Sequence, residues 1–101
     1  MNALRLIYSL GETLVGDLFM ARAIVLINTD VGTEEAVLEQ LQRLPEVKEV
    51  HVVYGVYDLV VFLEANDHNE LRSFIATKLR RIPYIRNTTT MIVVDTLSKY
   101  S

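Results

Sequence analysis

The chain has 101 residues, close to the commonest size for one domain, which leaves little room for a second core or for large catalytic machinery. Half of the residues are hydrophobic and 23% are charged, too apolar a balance for a disordered tail. Ten Lys and Arg against 13 Asp and Glu give a net charge of −3, which disfavours a free-standing nucleic-acid binder, and the absence of cysteine excludes disulfides, thiolate metal sites and cysteine nucleophiles and suits a reducing cytoplasm.

Met1 to Phe19 carries Leu4, Ile7, Leu14 and Leu18 at near-helical spacing but is interrupted by Gly11 and Gly16, so it reads as a weak amphipathic extension. Arg5 and Ser9 break the apolar run that a secretory signal needs, and no stretch approaches the ~18 apolar residues of a spanning helix. Met20, just before a strongly patterned segment, is a potential alternative start. Ala23 to Ile27 is a continuous apolar run, expected as a buried strand closed by the turn formers Asn28 to Gly32. Thr33 is the expected N-cap of a helix carrying Val37, Leu38, Leu41 and Leu44 on one face and stopped by Pro45. Val47 to Tyr54 reads as a second strand, Gly55 to Asp58 as a turn, and Leu59 to Glu64 as a third strand, apolar on both faces. Asp67 and Glu70 have capping-box spacing and open a second helix with Leu71, Phe74, Ile75, Leu79 and Ile82 on one stripe, ending before Pro83. Thr89 to Asp95 is the fourth strand, and residues 96–101 form a polar tail, so the domain is placed at residues 20–95.

The segment Leu41-Gln42-Arg43-Leu44-Pro45-Glu46-Val47 resembles Leu79-Arg80-Arg81-Ile82-Pro83-Tyr84-Ile85, so each half of the domain reads as one βαβ unit. Two such units give a ferredoxin-like split βαβ of the α+β class: an antiparallel four-stranded sheet with both helices on one face. The other face should then alternate to polar, but it does not: Ile24 and Leu26 are as apolar as Val25 and Ile27, and Leu59, Val61 and Leu63 as Val60 and Phe62. An uncovered patch on the order of 600 Å² follows, as large as the largest patches usual on a monomer. Pairing of two copies through that face would bury roughly 1,200 Å², the size of a stable interface, so a homodimer is expected, with Val61 or Val93 as representative contacts.

The Leu44-Pro45-Glu46-Val47 segment, the turn Tyr54-Gly55-Val56-Tyr57-Asp58-Leu59 and Thr88-Thr89-Thr90 entering an apolar last strand resemble the effector-binding (RAM) domain of the Lrp/AsnC transcription regulators. The resemblance runs from Ala21 to about Asp95. It departs from the family at Tyr84, where the family often has Gly, and in lacking a helix-turn-helix, for which Met1 to Phe19 is too short. It implies a stand-alone sensing and oligomerising module without enzymatic activity or cofactor. The homodimers would associate into a ring or disc, respond to an amino acid or similar effector at a subunit interface, and act on transcription through full-length Lrp/AsnC regulators, with no direct contact to DNA or membrane.

Gly55 serves a positive φ or lets a ligand approach main-chain N–H groups. Asp58 either bonds turn amides or accepts a ligand's α-ammonium. Tyr57 is a strand former or a wall over a small ligand, and Thr88 and Thr90, on one side by alternation, are strand residues or hydroxyls for a carboxylate. Arg72, Lys78, Arg80, Arg81 and Arg86 form one basic cluster, read as a solvated face. His51 and His68 lack metal-ligand spacing; an alternative reading, a cofactor-independent enzyme of the dimeric α+β barrel type, would use His51 as its base, and another is a purely structural co-assembly subunit.

Overall fold

The computed structural model describes residues 20–97. The expected N-terminal helix and most of the polar tail lie outside them. Four strands and two helices follow in the order β1 (Ala21–Thr29), α1 (Glu34–Gln42), β2 (Val47–Val52), β3 (Leu59–Ala65), α2 (His68–Thr77), a 3₁₀ turn (Leu79–Arg81) and β4 (Ile85–Ile92). The strands form one antiparallel sheet in the order β2-β3-β1-β4. This is the ferredoxin-like arrangement expected from the two βαβ halves.

Strand alternation decides which side chains meet the helices. Ala21, Ala23, Val25 and Ile27 of β1 and Leu59, Val61, Leu63 and Ala65 of β3 are buried in one cluster with Val37 and Leu41 of α1 and Leu71, Phe74 and Ile75 of α2. The repeat supplies matching anchors at its two helix ends, where Leu44 and Ile82, then Val47 and Ile85, pack on the same cluster around Pro45 and Pro83. Ile24 and Leu26 face the other way and pair across the sheet with Phe62 and Val60, all four half-buried. Met91 joins them opposite Ile24. Val61 therefore belongs to the helix-covered core rather than to the uncovered face, whereas Val93 lies with Ile24 and Phe62.

Several boundaries differ from the sequence reading. β1 continues through Asn28 and Thr29, because β4 offers them partners in Asn87 and Ile85. β2 stops at Val52 because Val53 N–H donates to Asp58 O at 3.0 Å and closes a hairpin loop that leaves Tyr54 fully exposed. β4 spans 85–92 rather than 89–95: its polar first half, Arg86 to Thr90, hides a strand from hydropathy, and its end is set by β1, whose Arg22 O takes the last bond, from Val93 N–H at 2.9 Å. The second helix ends at Thr77 and tightens into the 3₁₀ turn before Pro83.

Capping also divides the two helices. Asp67 accepts the Glu70 N–H at 2.8 Å, as its spacing predicts, while the Glu70 carboxylate reaches back to Asn66 N–H at 3.4 Å. Thr33 makes no side-chain cap; its hydroxyl donates to Asp30 O at 2.7 Å and stabilises the preceding turn instead. Both edge strands carry one residue too many for their neighbours. Register slips past Lys48 on β2, between the pairs Val47↔Leu63 and Glu49↔Phe62, and past Arg86 on β4, between Thr29↔Ile85 and Asn28↔Asn87.

Candidate functional site

The β2–β3 hairpin and the start of β4 meet at one end of the sheet. Asp58 is tied into β1 from both of its sides: its N–H donates to Ile27 O at 2.9 Å, and its carboxylate Oδ2 accepts the Thr29 N–H at 2.9 Å and faces the Thr29 hydroxyl at 3.4 Å. The carboxylate is thus positioned by the adjacent strand rather than by its own turn. Its Oδ1 makes no hydrogen bond among the described residues and can still accept one from a cation. Gly55 stands at the exposed hairpin tip with φ 155°, and a Cβ built there meets nothing within 4 Å. The glycine answers a backbone requirement, not a crowded one.

Thr88, Thr89 and Thr90 divide between the faces of the sheet. Thr88 pairs with Ile27 and Thr90 with Val25, so both turn toward the helices, and the Thr90 Oγ1 is buried without a hydrogen-bond partner. Thr89 pairs with Leu26 on the opposite face, where its hydroxyl lies 3.1 Å from the Tyr57 hydroxyl. Within one copy the five residues therefore do not line a common wall: Tyr57 turns to one side of the sheet, Thr88 and Thr90 to the other, and β1 runs between Asp58 and Thr88, since Ile27 pairs with both Leu59 and Thr88. Two members of the neighbourhood are missing from the sequence reading. Thr29 reads in sequence as a strand-ending turn residue, and the alternation that selects Thr88 and Thr90 passes over Thr89; only the strand register reveals either.

His51 lies on the exposed edge strand, with Nε2 2.8 Å from Glu49 Oε1 and its ring edge-on to Phe62 at 5.5 Å. A cleft of about 460 Å³ on the open sheet face is lined by Arg22, Ile24, Lys48, Phe62, Glu64 and Val93 among others, and no histidine contributes to it. Among the described residues no group of three or more His, Asp or Glu is placed to hold a metal ion, and no helix is long and apolar enough to cross a membrane.

Residues 22–101 match the family model of the Lrp/AsnC ligand binding domain. The chain belongs to the Lrp/AsnC family. An uncharacterized HTH-type transcriptional regulator of Pyrococcus abyssi is 34% identical over 80 residues, covering 76% of this Lrp/AsnC chain and 53% of the regulator. The chain thus spans about half the length of such curated relatives. A solved hypothetical protein from Pyrococcus horikoshii is 43% identical with a TM-score of 0.71, covering 75% of this chain and 92% of that one. At 14% identity, which speaks for the fold alone, the crystal structure of a Neisseria meningitidis transcriptional regulator in complex with L-Met superposes with a TM-score of 0.74 over 95% of this chain and 71% of that one. The chain is a regulatory ligand-binding domain of the Lrp/AsnC type, related to transcription regulators.

Proposed function

We propose that this Lrp/AsnC domain works as a non-enzymatic sensor: it dimerises through the open face of its sheet, associates further into a ring or disc, and changes that assembly when an amino acid or similar effector binds between copies. The observation that carries the reading is the position of Asp58, a carboxylate fixed through one oxygen by Thr29 and open at the other, at the end of the sheet where Gly55 keeps the main chain uncovered. An α-ammonium on Asp58 would form a charge-assisted hydrogen bond worth roughly 1.5–3 kcal/mol. Because Thr88 and Thr90 turn toward the helices, with the Thr90 hydroxyl buried, while Tyr57 turns the other way, one copy does not offer a complete effector site, which makes the site depend on assembly. The open apolar face supports dimerisation, and the L-Met complex of the Neisseria fold neighbour supports the ligand class. Transcription would be reached through full-length Lrp/AsnC regulators.

Thermal-shift screening of the amino acids, with size measured in solution, identifies the effector. Calorimetry on the wild type and Asp58→Asn then tests the site: the variant keeps an acceptor for Thr29 and loses the charge, so affinity should fall ~10–150-fold while the dimer persists. Equal affinity in the two proteins removes Asp58 from the site. Absence of heat with every amino acid favours the structural co-assembly subunit.

A further inference from the structure

The outer surface of the helix layer is divided by charge. Helix α1 carries Glu34, Glu35 and Glu39 with one cation, Arg43, at its C-cap, whereas α2 with its 3₁₀ turn carries Arg72, Lys78, Arg80 and Arg81 against the carboxylates of Glu70 and of the N-cap Asp67. Glu35 and Glu39 are exposed, as are all four cations, and Arg86 adds a fifth exposed cation at the start of β4. These charges do not satisfy one another: the one ion pair within 4.0 Å among the described residues is His51–Glu49, on the other face of the sheet. The topology sets them apart. In a sheet ordered β2-β3-β1-β4, α1 connects β1 to β2 and packs on β2, while α2 leads from β3 to β4 and packs on β3 and β1, so the acidic helix flanks one side of the layer and the basic segment the other.

A surface acidic on one flank and basic on the opposite one complements a translated or rotated copy of itself, not a mirror-like partner. We infer that a second copy of this chain is the occupant, with α1 of one copy docking against the Arg72, Lys78, Arg80 and Arg81 surface of the next. Added to the two-fold sheet-face dimer, such a contact propagates from dimer to dimer and closes as a ring when the rotation allows. It rests on the assembly reading above, to which it adds the surface that joins one dimer to the next; the dimer itself uses the opposite face of the sheet, whose centre is apolar.

Two properties separate this contact from the sheet-face dimer. Exposed charges are screened by salt, with a Debye length of about 10 Å at 0.1 M and 3 Å at 1 M, while apolar burial does not weaken in the same way. Sedimentation velocity on the full chain should therefore show multiples of the dimer at 0.1 M NaCl and the dimer at 1 M. The doubly reversed variants Glu35→Lys/Glu39→Lys and Arg80→Glu/Arg81→Glu should each stop at the dimer at 0.1 M, and an equimolar mixture of the two should regain the wild-type size, because the cationic α1 of one then faces the anionic turn of the other. Recovery on mixing also shows that both variants are folded. A wild-type size unchanged by salt, or variants that assemble like the wild type, overturns the proposal. So does loss of a nucleic acid shift on Arg80→Glu/Arg81→Glu without change of size, which assigns the basic segment to that ligand. A species series in multiples of one chain rather than two instead refutes the sheet-face dimer and leaves the charged contact standing.

Discussion

Tyr84 is the one described non-glycine residue with positive φ, at 75°, and its carbonyl accepts the Asp30 N–H at 2.9 Å, so the conformation is held by a cross-connection between the two βαβ halves. A side chain in the left-handed region costs roughly 1–2 kcal/mol, a cost glycine does not carry. Tyr84→Gly should raise the urea midpoint by the equivalent of about 0.5–1 kcal/mol, what remains after the greater unfolded-state freedom of glycine; a lower midpoint means that the half-exposed ring contributes more packing than the strain costs. Gly55 tests the converse. With open space around its would-be Cβ, Gly55→Ala pays only for φ 155°, on the order of 1–3 kcal/mol, and denaturant unfolding of the variant reads that cost directly. The special backbone at Gly55 and the oddity of Tyr84 were both legible from residue type and place. The contacts of Asp58 with Thr29 and of Tyr57 with Thr89 were not, because they depend on register between segments about 30 residues apart, which no local pattern records.

At the level of elements, the two helices begin differently although both have a plausible capping residue. Asp67→Ala removes an acceptor for the Glu70 N–H and should destabilise the fold by ~1 kcal/mol, whereas Thr33→Ala loses only a turn hydrogen bond and should cost measurably less; paired chemical denaturation curves decide, and equal losses would mean that the Thr33 turn is as important to α1 as a cap. The hydrophobic spacing read both helices and the first three strands correctly in kind and nearly in extent. It misplaced β4 by three to four residues, since a polar edge strand such as Arg86 to Thr90 is specified by the partners β1 offers and not by its own composition.

For the molecule as a whole, the two faces of the sheet should respond oppositely to the same insult. Val61 is wholly buried beneath the helices, so Val61→Lys leaves an unpaired charge in the core and should abolish cooperative unfolding. Phe62, its neighbour, is half-buried on the open face, and at 1 M NaCl, where the charged contact is screened, Phe62→Lys should give a folded monomer, with native circular dichroism and half the dimer mass by light scattering. A Phe62→Lys protein that stays dimeric would place the interface elsewhere. The apolar doublets of β1 and β3 announced this two-sidedness in the sequence, but which residue of each doublet faces the helices required the structure.

The displaced residues Lys48 and Arg86 occupy equivalent places in the internal repeat, each one position beyond the anchors Val47 and Ile85, and each kinks a rim of the sheet with a cation at the kink. An extended chain approaching either rim finds the ladder of amide and carbonyl groups interrupted and a charge in the way. Both features oppose growth by strand addition, the route to cross-β fibres, in a protein whose strands are apolar enough to associate through its broad faces.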